Sequence, residues 1–247
     1  MKITNNVIFY IILPIFLALF LIPSFIYPSY DLKEPVWVYY GRGNRYFHDG
    51  KLGFALAEYK KALSIINEEL KKTGERNEYF PDIALKIAEI YFKEGLYEEA
   101  LFYLDLSEKN SELFQIKDKI FLVYYLRADC YIKLNRVDKA IKTYMGIISR
   151  DERWEIYKNL KAEQIPDFID SPEDRAKFGK AYLNLGKIKF YSNNYENAIM
   201  FLKMSFIYKY NINLSFELLK KCYDTLGYNF MDKILNERLN MAVNTEG

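Results

Sequence analysis

One spacing constrains this chain more than any other. Tyr46, Gly50, Ala55 and Tyr59 are answered at the same offsets by Tyr91, Gly95, Ala100 and Leu104, and again by Tyr131, Asn135, Ala140 and Tyr144. Tyr39, Gly43 and Ala62 extend the first occurrence on both sides. Around the Gly or Asn, the aromatic and small residues recur every three to four positions, the period of a buried helix face. The Gly or Asn itself breaks that period, as does His48-Asp49-Gly50, so each occurrence reads as two helices joined by a tight turn. Such a hairpin cannot bury its apolar face alone. Repeated along a chain, it is the signature of a helical solenoid.

Pro81 restarts the pattern where a first-turn proline costs no hydrogen bond, and Ala84 and Ala88 follow it. Phe121, Tyr124 and Ala128 open a third unit, and Leu185, Gly186, Tyr195, Ala198 and Leu202 form a fourth, with Lys189 at a position where an aromatic is usual. Together these residues resemble the tetratricopeptide repeat. The resemblance implies an all-α, right-handed helical solenoid of about four repeats over residues 36–212 (36–69, 81–114, 121–154 and 179–212). An insertion at 155–178 breaks the period, and Ser171-Pro172 within it reads as a helix cap. Capping helices follow over 213–247, where Asp232 replaces the expected small residue and Lys233, Glu237 and Arg238 give a polar outer face.

Ahead of the repeats, no charged residue occurs between Lys2 and Asp31. Val7 to Tyr27 as a helix would span about 30 Å, the thickness of a hydrocarbon core. The exit, Pro23-Ser24-Phe25-Ile26-Tyr27-Pro28, puts bulky residues where a signal peptidase needs small ones. Residues 1–30 are therefore expected to be an uncleaved transmembrane signal-anchor, a cleaved signal being the competing reading, with 31–35 as spacer. The short N-terminal tail favours a cytoplasmic N-terminus, a bacterial inner-membrane location and a periplasmic repeat domain.

Net charge is +2, with 35 Lys+Arg against 33 Asp+Glu, a balance that argues against a nucleic-acid footprint. One histidine, His48, and two cysteines, Cys130 and Cys222, supply no zinc spacing and no disulfide framework. No G-x-S-x-G, H-E-x-x-H, C-x-x-C or P-loop pattern occurs, so neither an enzyme nor a cofactor nor a metal is expected.

What remains is a binding role. In tetratricopeptide repeats the face opposite the core stripe of each first helix lines a concave groove. That resemblance assigns the partner-binding groove to Trp37, Tyr40, Asn44 and Phe47, then Leu85, Glu89 and Phe92, then Tyr125, Asp129 and Ile132, and finally Lys187, Phe190 and Tyr191. The family's carboxylate clamp is not reproduced: Asn44 matches one of its positions, while Tyr40, Lys86, Leu122 and Leu126 occupy the others. The expected function is a membrane-tethered interaction adaptor, or a structural subunit of a large bacterial cell-envelope assembly, with protein partners. The periplasmic flagellar-motor collar of spirochaetes contains anchored repeat proteins of this kind and is one setting the resemblance suggests. A peptide-binding chaperone or secretion accessory is the alternative.

Overall fold

The computed structural model describes residues 34–161, 163–229 and 231–244. The expected anchor, residues 1–30, lies outside them. Among the described residues no helix is long and apolar enough to cross a membrane.

Every regular element described is helical. The chain runs α1 (Val36–His48), α2 (Leu52–Thr73), α3 (Phe80–Lys93), α4 (Tyr97–Lys109), α5 (Lys119–Lys133) and α6 (Val137–Ile148). A short α7 (Glu152–Tyr157) follows, then α8 (Pro172–Asp174), which a π-helical turn (Arg175–Gly179) joins to α9 (Lys180–Tyr191). The chain continues with α10 (Tyr195–Ile207), α11 (Ile212–Thr225) and α12 (Met231–Asn244). Successive pairs pack as hairpins, and each hairpin packs its second helix on the first helix of the next, so that α2 meets α3, α4 meets α5, α6 meets α9 and α10 meets α11. The result is the helical-repeat architecture that the spacing predicts.

All five hairpins turn the same way because the same local chemistry closes them. Gly50, Gly95, Asn135, Asn193 and Gly227 sit at φ of 74°, 80°, 56°, 56° and 79°. That left-handed backbone suits Gly, and Asn next best. The following amide reaches back to the carbonyl five residues earlier: Lys51 N donates to Tyr46 O at 2.9 Å, Leu96 N to Tyr91 O at 2.9 Å, Arg136 N to Tyr131 O at 2.8 Å, Asn194 N to Lys189 O at 2.9 Å and Tyr228 N to Tyr223 O at 2.9 Å. This satisfies helix-end carbonyls that would otherwise lack partners.

Small residues set the crossing of the paired helices. A Cβ added to Gly43 would stand 2.5 Å from Tyr59 Cε1, and one added to Gly186 would stand 2.6 Å from Leu202 Cδ2. Ala88, Ala100, Ala128 and Ala140 are fully buried at the corresponding crossings. Cys130 and Cys222 are buried too, and burial pushes both thiols up to about 12, so they stay protonated and inert.

The segment between α6 and α9 is part of the core. Trp154 of α7 stacks on Phe201 of α10 at 5.4 Å and 12°. Phe178 meets Phe121 edge-on at 5.7 Å. The Ile169 amide donates to Ile207 O at 2.8 Å. Asp151, itself buried, caps α7 by accepting from Arg153 N at 3.1 Å, and its Oδ2 accepts from the hydroxyls of Tyr182 (2.8 Å) and Tyr208 (2.6 Å). Burial, reinforced by the Asp151 charge, holds both phenols protonated well above the tyrosine range. Ser171 caps α8 by accepting from Asp174 N at 3.2 Å, with Pro172 in the first turn. Lys203, on α10, donates to the carbonyls of Lys161 (2.7 Å), Gln164 (3.2 Å) and Leu160 (3.3 Å), pinning the segment from inside.

Candidate protein-binding cleft

The first helices of the third and fourth hairpins, α5 and α9, are tied at one level by Tyr125. Its hydroxyl donates to Lys177 O at 2.7 Å and accepts from Ala181 N at 3.1 Å. One turn further along α5, Asp129 faces Lys180 Nζ at 3.5 Å and accepts from Tyr144 OH at 3.2 Å, while Asn184 Nδ2 donates to the same hydroxyl at 3.0 Å. Burial and then the Asp129 charge keep the Tyr144 phenol protonated, so it stays a donor. This polar chain lines one side of a cleft of about 510 Å³, whose other walls are Ile132, Val137, Lys187, Ile188, Tyr191 and Ser192. Ile132 and Tyr191 are 41% and 72% exposed. Lys187 has no ion-pair or hydrogen-bond partner among the described residues. The cleft therefore offers apolar walls and one uncompensated cation.

Four of the residues assigned to the groove from the sequence meet in this cleft: Asp129, Ile132, Lys187 and Tyr191. Two are corrections. Leu85 is 3% exposed in the core shared by the second and third hairpins, where α3 passes α5. Tyr125 is 6% exposed, because its hydroxyl and ring are used to seat α9. Neither can meet a partner. Pattern reading cannot separate a groove-facing residue from one covered by the neighbouring repeat, since both stand off the hairpin's own core stripe.

Most of the rest are half-buried in contacts of their own. Tyr40 lies 5.4 Å from the Tyr79 ring, and Asn44 accepts from Tyr59 OH at 2.7 Å. Phe47 lies beneath two ammonium groups, Lys93 at 4.2 Å and Lys86 at 4.8 Å. Glu89 pairs with Lys86 at 2.8 Å. Phe92 packs edge-on against Tyr97 at 5.5 Å, and Phe190 against Tyr195 at 5.6 Å. Trp37 is 61% exposed at the start of α1, away from the cleft.

Sequence reasoning missed Val137, Tyr144, Asn184, Ile188 and Ser192. The spacing Asn184, Lys187, Ile188, Tyr191 follows one helical face and could have extended the set along α9. Val137 and Tyr144 come from the second helix of the hairpin, which the groove assignment left out. Among the described residues no group of three or more His, Cys, Asp or Glu is placed to hold a metal ion.

Residues 122–153 and 179–203 match the tetratricopeptide repeat family model. No curated protein matches the chain. The two matched stretches contribute the helices on either side of the cleft. Tetratricopeptide repeats generally bind other proteins and are generally non-enzymatic scaffolds.

Proposed function

We propose that this chain is a protein-interaction scaffold whose α5–α9 cleft receives an apolar anchor side chain, flanked by a carboxylate, from a segment of a partner protein. The observation that carries the reading is the juxtaposition of exposed Ile132 and Tyr191 with unpaired Lys187 in one cleft between two tetratricopeptide repeats. Exposed apolar surface ringed by polar groups marks interaction sites, and buried aromatic anchors tend to dominate binding energy.

The uncharged run from Ile3 to Tyr30 supports a finer proposal. The scaffold is tethered to the bacterial inner membrane by residues 1–30, with its repeats on the periplasmic side, as an adaptor or subunit of an envelope assembly such as a flagellar-motor collar.

Affinity purification from detergent-solubilised native membranes, with partners identified by mass, tests the binding reading. The expected result is one or a few partners at fixed stoichiometry, lost when Ile132 and Tyr191 are both changed to Ser while thermal melting is unchanged. Retention of the same partners by that double variant would move binding to another face. Many substoichiometric polypeptides would favour the peptide-binding chaperone. Alkaline extraction and protease protection of intact spheroplasts test the anchor and its orientation.

A further inference from the structure

On the face of the third hairpin turned away from the cleft, a groove of about 460 Å³ runs between α5 and α6. Tyr124, Arg127 and Tyr131 of α5 wall it on one side. Lys139, Lys142 and Gly146 of α6 line the other, at the intervals of three and four residues that share one helix face, with Arg150 in the turn that follows the helix. Glu108 is the only carboxylate in the lining, and it is already bonded to Arg127 (2.5 Å), whose other terminal nitrogen holds Asp105 at 2.8 Å. None of Lys139, Lys142 and Arg150 has an ion-pair partner among the described residues. Lys139 lies over the Tyr131 ring at 5.6 Å, and Arg150 over Tyr124 at 4.6 Å.

Two further features are unexplained by packing. Arg127 is only 9% exposed, yet its Nε has no hydrogen-bond partner among the described residues. A buried donor left unmade is costly, and the two carboxylates held by the terminal nitrogens keep the guanidinium in place. Gly146 stands inside α6, and among the described residues no atom beyond its chain neighbours and the nearby backbone of its own helix lies within 4 Å of where its Cβ would be. Glycine weakens a helix interior relative to alanine, and its recurring use is to let a ligand come close to the backbone.

We infer that this groove binds a phosphate ester. Three uncompensated cations match a multiply charged anion, and the guanidinium of Arg150 suits a phosphate in particular. The tyrosine walls accept the organic body of the ester, and the open backbone at Gly146 leaves it room. Two sources present this chemistry: a soluble ester such as a nucleotide, and the headgroup of an anionic lipid.

Calorimetric titration of the full chain in detergent micelles tests the inference, with inorganic pyrophosphate, adenosine triphosphate and a soluble short-chain phosphatidic acid as probes. At least one probe should bind saturably, the soluble pair or the lipid naming the source. Gly146→Leu fills the groove where nothing opposes a side chain and removes a helix-weakening glycine. It should melt no lower than the native chain and bind at least about ten-fold more weakly. Replacing Lys142 and Arg150 together by Gln should weaken binding and flatten its salt dependence. Saturable binding by none of the probes, or equal binding by Gly146→Leu, would overturn the assignment.

Discussion

In the first two hairpins, α1 to α4, apolar residues gather in two modest clusters. One joins α1, α2 and α3 around Tyr59, Ile66, Ile83 and Ile87. The other passes from α3 and α4 to α5 around Leu85, Ala100, Leu104 and Val123. From α5 onward a single cluster extends from Tyr125 to Leu235 and draws in Trp154, Ile169 and Phe178 from the connecting segment. Buried polar groups follow the same division. The early hairpins bury Ser107, bonded to Pro81 O at 2.8 Å, and Asp82, paired with Lys119. The later part buries Asp151, Lys203, Ser205 and Ser215, each hydrogen-bonded across elements. One hairpin plan thus supports two kinds of cohesion. Repeats joined directly touch only their neighbours, so their stability adds step by step. A connector that contributes a Trp and a buried carboxylate binds two repeats into one cooperative unit.

The strongest way to break this contrast is Trp154→Ala. Truncating a buried tryptophan costs about 3–5 kcal/mol, and the whole region from α5 to α12 should lose stability together in chemical denaturation. A loss below about 1 kcal/mol would mean that the connector merely covers the surface.

Next in size is Gly43→Ala, whose methyl must displace the Tyr59 ring, at an expected cost of about 1–3 kcal/mol. Here the effect should be local: hydrogen exchange accelerates in α1 and α2 and leaves α10 protected. Equal acceleration in α10 would show that the two regions unfold as one.

Acidity sharpens the comparison further. Burial lowers the Lys203 ammonium to about 8, Glu163 offsetting part of that fall. Between that value and the unfolded lysine pKa, the unfolded chain binds the proton more strongly, so folding gains stability as pH rises. From pH 8 to 9 the Lys203 contribution should approach about 1 kcal/mol. Cys130 and Cys222 oppose that contribution over the same range and more strongly above pH 9, because they keep protons in the folded state that they lose on unfolding. The stability of the native chain relative to Lys203→Met should therefore grow by about 1 kcal/mol between pH 8 and 9 in chemical denaturation. A difference that stays constant across that range would mean that Lys203 is not the source.

Smallest is Glu99→Gln on the exposed side of α4, expected to shift stability by less than about 0.5 kcal/mol. It sets the background against which Gly43→Ala is read.

Much of the fold was legible because it is written locally. A left-handed turn residue at Gly50, Gly95 and Asn135, a small residue at Gly43 or Gly186, and an apolar stripe every three to four positions each act within one hairpin. Residues so close in sequence meet whatever the rest of the chain does. The Ser171-Pro172 cap was legible for the same reason. The candidate cleft was legible only in part. Asp129, Ile132, Lys187 and Tyr191 were placed on a common face, but Leu85 and Tyr125 shared that face and are buried.

By itself, then, the sequence determined the all-α hairpins, where each turns, and that they stack as repeats. Only the tertiary structure decided which off-stripe residues stay open, that residues 151–178 join the core through Asp151, Trp154 and Phe178, and that Lys203 holds that segment by three carbonyls. The physical reason is range. A turn or a helix face is settled by groups a few bonds apart. Exposure and buried pairing depend on which surface, tens of residues away in the chain, comes to lie against them.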